Sequence, residues 1–395
     1  MHTRLVRIGA ALAFFGIVTV STVGETVRAT ARRPLPPTGV HATLSPTATP
    51  STPPLPRGLD RSIHLPADAA AHTRENREWW YVVGHLSDSK GQTYGFETTI
   101  AKVGGIQQIV PGSPYDTDYH TDISVTDDHA GRFYQQMAFM GPSDARLSTR
   151  TLDAHAGRAR ITTIGDPHKL TYRVQGSVDG AASDLTITST RPALLVGGGL
   201  IPWGDGYTYY YTLTSLRTQG TLTIGGRRIP VHGTAWMDHQ WGKWASVDVR
   251  PAGVTNWEWM GMQLSDGTGI NMTVQNTVRG AFGGASALLP NNRQVPVIRD
   301  VRMTPLGQWR SPTTHIIYPS GWHVRVPSLK LDVTVRPTVK DQELVDSWTV
   351  MGYRTAYYEG NCTVSGTHAG HHVSGATYTE LIGYGVPSAP SSQGG

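Results

Sequence analysis

The segment Trp79-Trp-Tyr-Val-Val-Gly-His-Leu-Ser-Asp88 recurs later in the chain, without gaps, as Trp257-Glu-Trp-Met-Gly-Met-Gln-Leu-Ser-Asp266. A second pair follows in the same order, since Val231-His-Gly-Thr-Ala-Trp-Met-Asp238 resembles Val373-Ser-Gly-Ala-Thr-Tyr-Thr-Glu380. The two segments of the first pair lie near the start of the two halves of the folded region. The two segments of the second pair lie near their ends. Short matches arise by chance, but two pairs in one order indicate an internal duplication.

Alternation of apolar and polar residues dominates both halves. Between Leu329 and Arg336 every second residue is leucine or valine, which is typical of a strand with one buried face. The 45 glycines and the many tyrosine, threonine and valine residues favour sheets joined by tight turns. Only residues 67–76 are a candidate helix. We therefore predict an all-β protein of two consecutive antiparallel β-barrels, because closing a sheet removes its edges and leaves a cavity at its mouth.

The ends of the chain differ in composition from the folded region. Arg4 and Arg7 precede a short apolar run, and Ala29-Thr-Ala31 resembles a cleavage site, as in secretory signals. A retained membrane anchor is the alternative, although the run is shorter than the ~20 residues that a spanning helix needs. The predicted regions are a signal peptide (1–31), a disordered Pro-rich linker (32–64), an N-terminal barrel domain (65–245), a C-terminal barrel domain (246–385) and a disordered tail (386–395), in a protein that is secreted or held outside the cytoplasm.

The net charge of +5 belongs mostly to the leader. Five arginines and one glutamate in residues 1–33 contribute +4, which leaves about +1 for the rest of the chain. That near-neutral balance argues against the clustered lysine and arginine of a nucleic-acid-binding surface. The cavity at the mouth of a barrel suits a small hydrophobic ligand as the partner. We also expect a monomeric protein with at most peripheral association with a membrane.

No familiar catalytic template is present. The sequence has no Gly-x-Ser-x-Gly elbow, no His-Glu-x-x-His motif, no phosphate loop and no dinucleotide fingerprint. His371 and His372 are adjacent, so on a strand they would point to opposite faces, and a surface turn is the better interpretation. Cys362, the only cysteine, cannot form an internal disulfide and is expected in the core. No cofactor and no metal site is predicted.

The segment Gly233-Thr-Ala-Trp-Met-Asp-His-Gln-Trp-Gly242 carries the strongest chemical signal. On a strand, Trp236 and Asp238 share one face and His239 takes the other. If the shared face lines a cavity, burial raises the pKa of the carboxyl group by up to ~3–5 units, and an acid protonated near neutral pH can serve as a general acid. The neighbouring indole plane suits a developing carbocation. The alternative is that Asp238 begins a turn and hydrogen-bonds its own backbone, while Trp236 and Trp241 belong to the core.

Other aromatic residues are candidate ligand contacts. In Trp79-Trp-Tyr81 and in Tyr209-Tyr-Tyr211, the outer two residues share a strand face and the middle one takes the other. The alternation does not say which face lines a cavity. The candidate ligand-binding residues are Trp79, Tyr81, Tyr209, Tyr211 and Trp241. Ahead of the first strand, His72, Glu75 and Glu78 either cap the barrel mouth or, in the preferred interpretation, end a solvated helix.

These motifs resemble those of the AttH-type, carotenoid 1,2-hydratase-like family. The matching stretches, in the family's order, are Glu78–Leu86, Tyr209–Leu213, Gly233–Gly242, Tyr357–Gly360 and Glu380–Tyr384. The resemblance implies two consecutive lipocalin-like β-barrels. It also implies hydration of an isolated isoprenoid double bond, in which the acid matched by Asp238 protonates the alkene and the aromatic residue matched by Trp236 lines the cation site. Related lipocalin-like proteins act as cyclases in natural-product pathways.

Two departures from the family pattern leave the function open. Gln240 stands where many secreted relatives carry glutamate, and Trp236 stands where the hydratases often carry tyrosine. One hypothesis is an enzyme that hydrates or cyclises a hydrophobic isoprenoid or lipid through Asp238. In that hypothesis Trp236, with Tyr209 or Tyr211, stabilises the cation. The other is a non-catalytic, extracytoplasmic lipocalin-like protein that binds a hydrophobic ligand. An ester hydrolase has no nucleophile motif to support it.

Overall fold

The computed structural model describes residues 55–105, 107, 115–203, 206–244, 254–277, 280–350 and 353–385. The predicted signal peptide, most of the linker, the predicted domain boundary at residue 245 and the predicted tail lie outside this part of the chain. Within it, no helix is long and apolar enough to cross a membrane.

Strands form nearly all of the regular secondary structure in the described ranges, which confirms the all-β prediction. In chain order they are β1 Arg77–Asp88, β2 Thr93–Gly104, β3 Thr117–Asp127, β4 Arg132–Met140, β5 Ala145–Leu147, β6 Asp153–Ala156, β7 Ala159–Thr163, β8 Thr171–Val178, β9 Ala181–Ser189, β10 Leu194–Trp203, β11 Gly206–Ile224, β12 Arg227–Lys243, β13 Val254–Leu264, β14 Gly269–Thr277, β15 Gly280–Leu288, β16 Gln294–Ile298, β17 Arg302–Pro305, β18 Gln308–Arg310, β19 Ile317–Pro319, β20 Trp322–Val326, β21 Leu331–Pro337, β22 Glu343–Val350, β23 Tyr353–His368 and β24 His371–Ile382. Short 3₁₀ helices occupy Ala67–Ala69, Pro142–Asp144, Pro167–Lys169 and Pro327–Leu329.

Residues 67–76 do not form the predicted helix. Only Ala67–Ala69 make a 3₁₀ turn, and Ala70 already has an extended backbone. The segment then leads into β1 at Arg77. A longer helix would have no apolar stripe to bury, and short helices depend on such packing for their stability.

Antiparallel pairing builds one sheet from each half of the chain. In the first half the order is β4-β3-β2-β1-β12-β11-β9-β8-β7-β6-β5, with β10 beside the start of β11. In the second half the order is β17-β20-β21-β23-β24-β13-β14-β15-β16, with β22 beside the start of β23. The short strands β18 and β19 pair with each other.

Hydrogen bonding does not close either sheet into the barrel that the sequence predicts. Among the described residues, no ladder joins β4 to β5 in the first half or β16 to β17 in the second. The first sheet instead folds over its own core, so that β2 and β3 contact β7 and β8. A single parallel bridge, between Asp346 and Met137, links the two sheets.

The register of the central strands repeats in the two halves. β1 lies between β2 and β12, with Tyr81 opposite Asp238. β13 lies between β14 and β24, with Trp259 opposite Glu380. The repeated segments align Tyr81 with Trp259 and Asp238 with Glu380, so the strand pairing confirms the duplication residue by residue.

Alternation divides each central strand between two buried surfaces. Trp80 on β1 and Met237 on β12 point into the core of the first half, where both are fully buried. Tyr81 and Trp236 point the other way and form an apolar cluster with Trp259 of the second half. Removing a large apolar side chain from water is worth about 1.5–3 kcal/mol. The layer between the halves therefore stabilises their association as well as each strand.

Candidate active site between the two halves

Asp238 lies inside β12, on the face that the second half covers. Strand alternation puts Trp236 and Gln240 on the same face and His239 on the opposite one, as the sequence predicts. Asp238 is only 4% exposed. The layer between the halves, and not the interior of the first sheet, thus holds the predicted acid.

Four side-chain donors surround the Asp238 carboxylate. Thr212 Oγ1 donates to Oδ1 over 2.5 Å, and Trp236 Nε1 donates to the same atom over 2.8 Å. Tyr210 donates its hydroxyl hydrogen to Oδ2, and Asn271 Nδ2 of the second half approaches that oxygen at 3.4 Å. Because all four partners are side chains and Asp238 lies within a strand, the turn-capping alternative is wrong.

Burial sets the acidity of this carboxyl group. It raises the pKa of Asp238 from 3.8 to about 6, against the hydrogen bonds from the four donors, which lower it. The group therefore gains and loses its proton near neutral pH. Proton transfer by a side chain is most efficient when the pKa lies close to the working pH.

Aromatic rings lie beside the acid. Trp259 meets Trp236 edge to face, with 6.1 Å between ring centroids, and meets Tyr81 edge to face at 5.3 Å. Trp79 packs against this group. A positive charge that develops beside Asp238 would therefore lie close to several aromatic rings, which attract cations.

Three predicted ligand contacts lie on the other side of the sheet. Tyr209, Tyr211 and Trp241 belong to the core of the first half. There Trp241 stacks on Tyr209 at 5.2 Å and on His72 at 4.1 Å. The structure thus brings Trp79 and Tyr81 to the layer that contains Asp238, and it places the other three candidates behind the strands.

Tyr210, Thr212 and Asn271 are the site residues that the sequence did not reveal. Thr212 is paired directly with Asp238, so Tyr210, two residues earlier on β11, lies on the same face. The alternation in Tyr209-Tyr-Tyr211 separates the two faces, but only the register of β11 against β12 shows which face meets the acid. No local signal points to Asn271, because it comes from the other half.

A second polar cluster lies on the core side of the first half. Glu78, predicted at the end of a solvated helix, is fully buried on β1. Its Oε1 lies 2.8 Å from His72 Nδ1 and 3.1 Å from His239 Nε2. Its Oε2 lies 3.1 Å from Lys102 Nζ. Burial raises the pKa of Glu78, but these partners outweigh it and hold the pKa well below its usual range.

This cluster contains the three residues His72, Glu78 and His239, whose nitrogen and oxygen atoms are close enough to bind a metal ion. Burial lowers the pKa of His239 to about 4, so its imidazole is neutral at physiological pH. The Lys102 ammonium already balances the charge of the Glu78 carboxylate. The hydrogen bonds and the ion pair therefore account for the cluster without a further ligand.

Buried acids also surround Glu380, the counterpart of Asp238. Glu380 accepts a hydrogen bond from Trp257 Nε1 at 2.9 Å, and burial raises its pKa to about 7. Glu359 lies directly opposite Glu380, on β23. Its Oε1 accepts a hydrogen bond from the Tyr81 hydroxyl at 2.6 Å, so the two halves meet at this contact.

Two acids of the first half complete a group that we call the carboxyl cluster: Glu97, Asp122, Glu359 and Glu380. The Tyr357 hydroxyl lies 2.8 Å from Asp122 Oδ2 and 3.3 Å from Glu97 Oε1. Burial, and then the charge of Asp122, raise the pKa of Glu97 well above its usual range. Burial, and then the charge of Glu97, do the same for Glu359. A basic side chain also meets the cluster, since His120 Nε2 lies 2.9 Å from Asp122 Oδ1.

The residues that the sequence excluded from chemistry lie where it predicts. Cys362 is fully buried in the core of the second half, with its thiol towards the Gly360 carbonyl oxygen. His371 and His372 are exposed where β24 begins.

Sequence comparison relates the chain to known proteins. The family described as AttH-like matches residues 57–384. Kievitone hydratase from Fusarium solani subsp. phaseoli is 26% identical over 259 residues, with 63% of this chain and 70% of that protein covered. Dehydratase asqC from Emericella nidulans is 27% identical over 240 residues, with 55% of this chain and 63% of that protein covered. The chain thus aligns with less than two thirds of the dehydratase.

Solved structures are similar over most of the chain. An AttH-type protein from Nitrosomonas europaea has a TM-score of 0.70 at 25% identity, covering 84% of this chain and 100% of that chain. Kievitone hydratase from Nectria haematococca has a TM-score of 0.65 at 20% identity, covering 81% of this chain and 92% of that chain. The fold described above is therefore shared with these proteins.

Proposed function

The chain belongs to the AttH-like family, and we propose that it is an enzyme that adds water to, or removes water from, a carbon–carbon double bond. Its substrate, an isoprenoid or a similar hydrophobic lipid, lies in the layer between the halves, where Asp238 donates the proton. Two relatives are named as a hydratase and a dehydratase, which catalyse opposite directions of one reaction type. The observation that carries the proposal is a buried carboxyl group with a pKa of about 6 beside aromatic rings.

The donors around Asp238 suit both of its protonation states. Trp236 and Asn271 can only donate hydrogen through their N–H groups, so they stabilise the carboxylate that remains when the proton leaves. The hydroxyl groups of Thr212 and Tyr210 can rotate and accept a hydrogen bond instead. A protonated Asp238 therefore directs its hydrogen towards Thr212, Tyr210 or the substrate.

Hydration then proceeds through a carbocation. The Asp238 proton bonds to one alkene carbon, and the π electrons form that bond and leave the other carbon positive. The rings of Trp236 and Trp259 stabilise the cation, by about 2 kcal/mol or more in a dry site. The oxygen of water bonds to the cation and loses a proton to the carboxylate, which restores the acid and gives an alcohol. Dehydration is the reverse of these steps.

Cyclisation is a variant of the same mechanism. If a second alkene of the substrate attacks the cation, a carbon–carbon bond forms in place of the carbon–oxygen bond. A proton lost from the carbon next to the new cation returns to the Asp238 carboxylate. The predicted signal peptide adds to this proposal that the reaction takes place outside the cytoplasm.

The substitution Asp238→Asn tests the proposal. The amide has nearly the same shape but cannot donate a proton to an alkene, so we expect turnover to fall about 10²–10⁴-fold while ligand binding is retained. Incubation with kievitone or a polyprenyl alkene in ¹⁸O-labelled water, followed by mass spectrometry of the product, measures the turnover. Asp184→Asn, which changes an exposed carboxyl group on β9, is the matched control.

Unchanged turnover in Asp238→Asn would overturn the assignment of the proton donor. A wild-type protein that binds a probe and forms no product would instead be the binding protein that the sequence left as the alternative. In that case Asp238→Asn and Asp184→Asn bind the probe with the affinity of the wild type.

A further inference from the structure

The duplication gives each residue of the Asp238 site a counterpart in the other half. The register of the central strands relates Asp238 to Glu380, Trp236 to Tyr378, Tyr210 to Tyr357, Thr212 to Glu359 and Asn271 to Glu97. A threonine and an asparagine that donate hydrogen bonds in the first site are thus glutamates in the second. The carboxyl cluster therefore differs in chemistry from the Asp238 site and is not a degenerate copy of it.

Two polar groups at the carboxyl cluster have no hydrogen-bond partner among the described residues. They are the Oε2 atom of Glu359 and the hydroxyl group of Tyr378, and both side chains are 0% exposed. The Oε1 atom of Glu359 already accepts a hydrogen bond from Tyr81, so Oε2 is the oxygen left to meet a ligand. Buried polar groups without partners are costly for a folded protein, so both groups suit a ligand.

Both residues lie on neighbouring strands, on the face that meets the first half. Tyr378 on β24 is paired with Asn361, which is two residues from Glu359 on the same face of β23. The Tyr378 hydroxyl lies over Gly95 of β2, where a Cβ atom would be 2.6 Å from its oxygen. Gly95 shares its strand face with Glu97, a member of the carboxyl cluster. The Tyr378 hydroxyl is therefore aimed into the cluster.

The charge of the surroundings indicates what kind of ligand fits. Burial and mutual repulsion raise the pKa of Glu97 and of Glu359, which favours the neutral carboxyl form that can donate a hydrogen bond. A protonated carboxyl group and a phenol both suit the lone pairs of a hydroxyl or carbonyl oxygen. An anionic ligand would be repelled by the remaining acids, and a hydrocarbon would leave both donors without a partner.

The carboxyl cluster and Asp238 lie at two ends of one aromatic surface. Tyr81 is paired with Asp238 across β1 and β12, and its hydroxyl reaches Glu359. Trp259 contacts both Tyr81 and Trp236 edge to face. A molecule that lies along Trp259 can therefore meet Asp238 at one end and Glu359 at the other.

We propose that Glu359 and Tyr378 form an oxygen-binding subsite for a hydroxyl or carbonyl group of the substrate whose double bond lies at Asp238. The subsite rests on the proposed function for the position of the double bond, but it makes a separate claim about the substrate. That substrate is an oxygen-bearing hydrophobic molecule and not a pure hydrocarbon.

Three fifteen-carbon probes that differ at one end test the subsite. Farnesol carries a hydroxyl group, β-farnesene is a hydrocarbon, and farnesylamine carries a positive charge at neutral pH. Titrations followed by tryptophan fluorescence give a Kd for each probe. We expect farnesol to bind the wild-type protein about tenfold more tightly than the other two, which is the effect of one or two net hydrogen bonds.

Two variants assign this preference to residues. Tyr378→Phe removes only the hydroxyl without a partner, so the variant folds, and we expect the advantage of farnesol over β-farnesene to fall about threefold. Glu359→Thr installs the residue of the first site, and most of the advantage is lost. Tyr172→Phe is the matched control, because the Tyr172 hydroxyl also lacks a partner in the described structure but lies in the core of the first half.

The outcomes separate the subsite from the catalytic proposal. Equal affinity for the three probes overturns the subsite, and tighter binding of farnesylamine overturns it in favour of a cation site. An unchanged preference for farnesol in both variants overturns the choice of residues. Asp238→Asn keeps the preference if the subsite is correct, whether or not the variant also loses turnover.

Discussion

The Asp238 site and the carboxyl cluster derive from one repeated segment, yet different groups surround the buried acid in each. Asp238 has four donors around a single carboxyl group, so both of its oxygens are satisfied. In the cluster, Glu359 and Glu97 take the positions of Thr212 and Asn271, so donors are replaced by further acids. The duplicated fold therefore provides two equivalent positions for a buried acid, at Asp238 and at Glu380. The neighbouring residues decide whether the acid there is held by hydrogen-bond donors or lies among further acids.

The largest expected effect concerns the pH dependence of turnover. If Asp238 must carry a proton, kcat/KM is highest below a pH of about 6 and falls tenfold per unit above it. Asn271→Glu adds a second carboxyl group beside Asp238, at the position that Glu97 occupies in the carboxyl cluster. The like charge raises the pKa of Asp238, so we expect the alkaline limb of the pH profile of kcat/KM to move to higher pH. A limb that stays in place in Asn271→Glu contradicts its assignment to Asp238.

The next effect concerns folding stability, to which a proton held by the carboxyl cluster contributes. The pKa of Glu380 is about 7 in the folded protein, against an ordinary value of 4.5. The folded form therefore holds this proton more tightly than the unfolded form. The free energy of unfolding should fall as the pH rises from about 4.5 through 7, by about 3 kcal/mol for this group.

Denaturant unfolding across that pH range measures this contribution. Glu380→Gln removes the titrating group, so its stability should depend less steeply on pH than that of the wild type. Asp184→Asn, at an exposed position, should keep the wild-type slope. Parallel curves for Glu380→Gln and the wild type would show that Glu380 does not hold its proton more tightly in the folded state.

The smallest effect compares the two positions next to the acids. Trp236→Phe keeps an aromatic ring but removes the N–H that donates to Asp238, so the pKa of Asp238 rises and the alkaline limb moves up by about half a unit. Tyr378→Phe, the corresponding change in the second half, should leave the limb in place. Equal shifts in the two variants would indicate that the indole N–H has no specific role in setting the acidity of Asp238.

Strand alternation predicts part of the site correctly. It predicts that Trp236 and Asp238 share a face and that His239 does not, and the structure confirms both. It cannot rank the two faces of β11, because Tyr209-Tyr-Tyr211 is aromatic on both sides. Alternation therefore predicts Tyr209 and Tyr211 as ligand contacts, although they belong to the core of the first half. Alternation also cannot tell whether a sheet closes, since closure depends on pairing between strands distant in sequence.

The all-β class, the repeat and the faces of β1 and β12 follow from the order of the residues along the chain. What covers those faces depends on how the two halves pack against each other. A period of two assigns each side chain to a face, which is a local property of the strand. The element that packs on that face is chosen by long-range contacts, which is why Asn271 and Glu359 meet Asp238 and Tyr81 from the opposite half without any local signal.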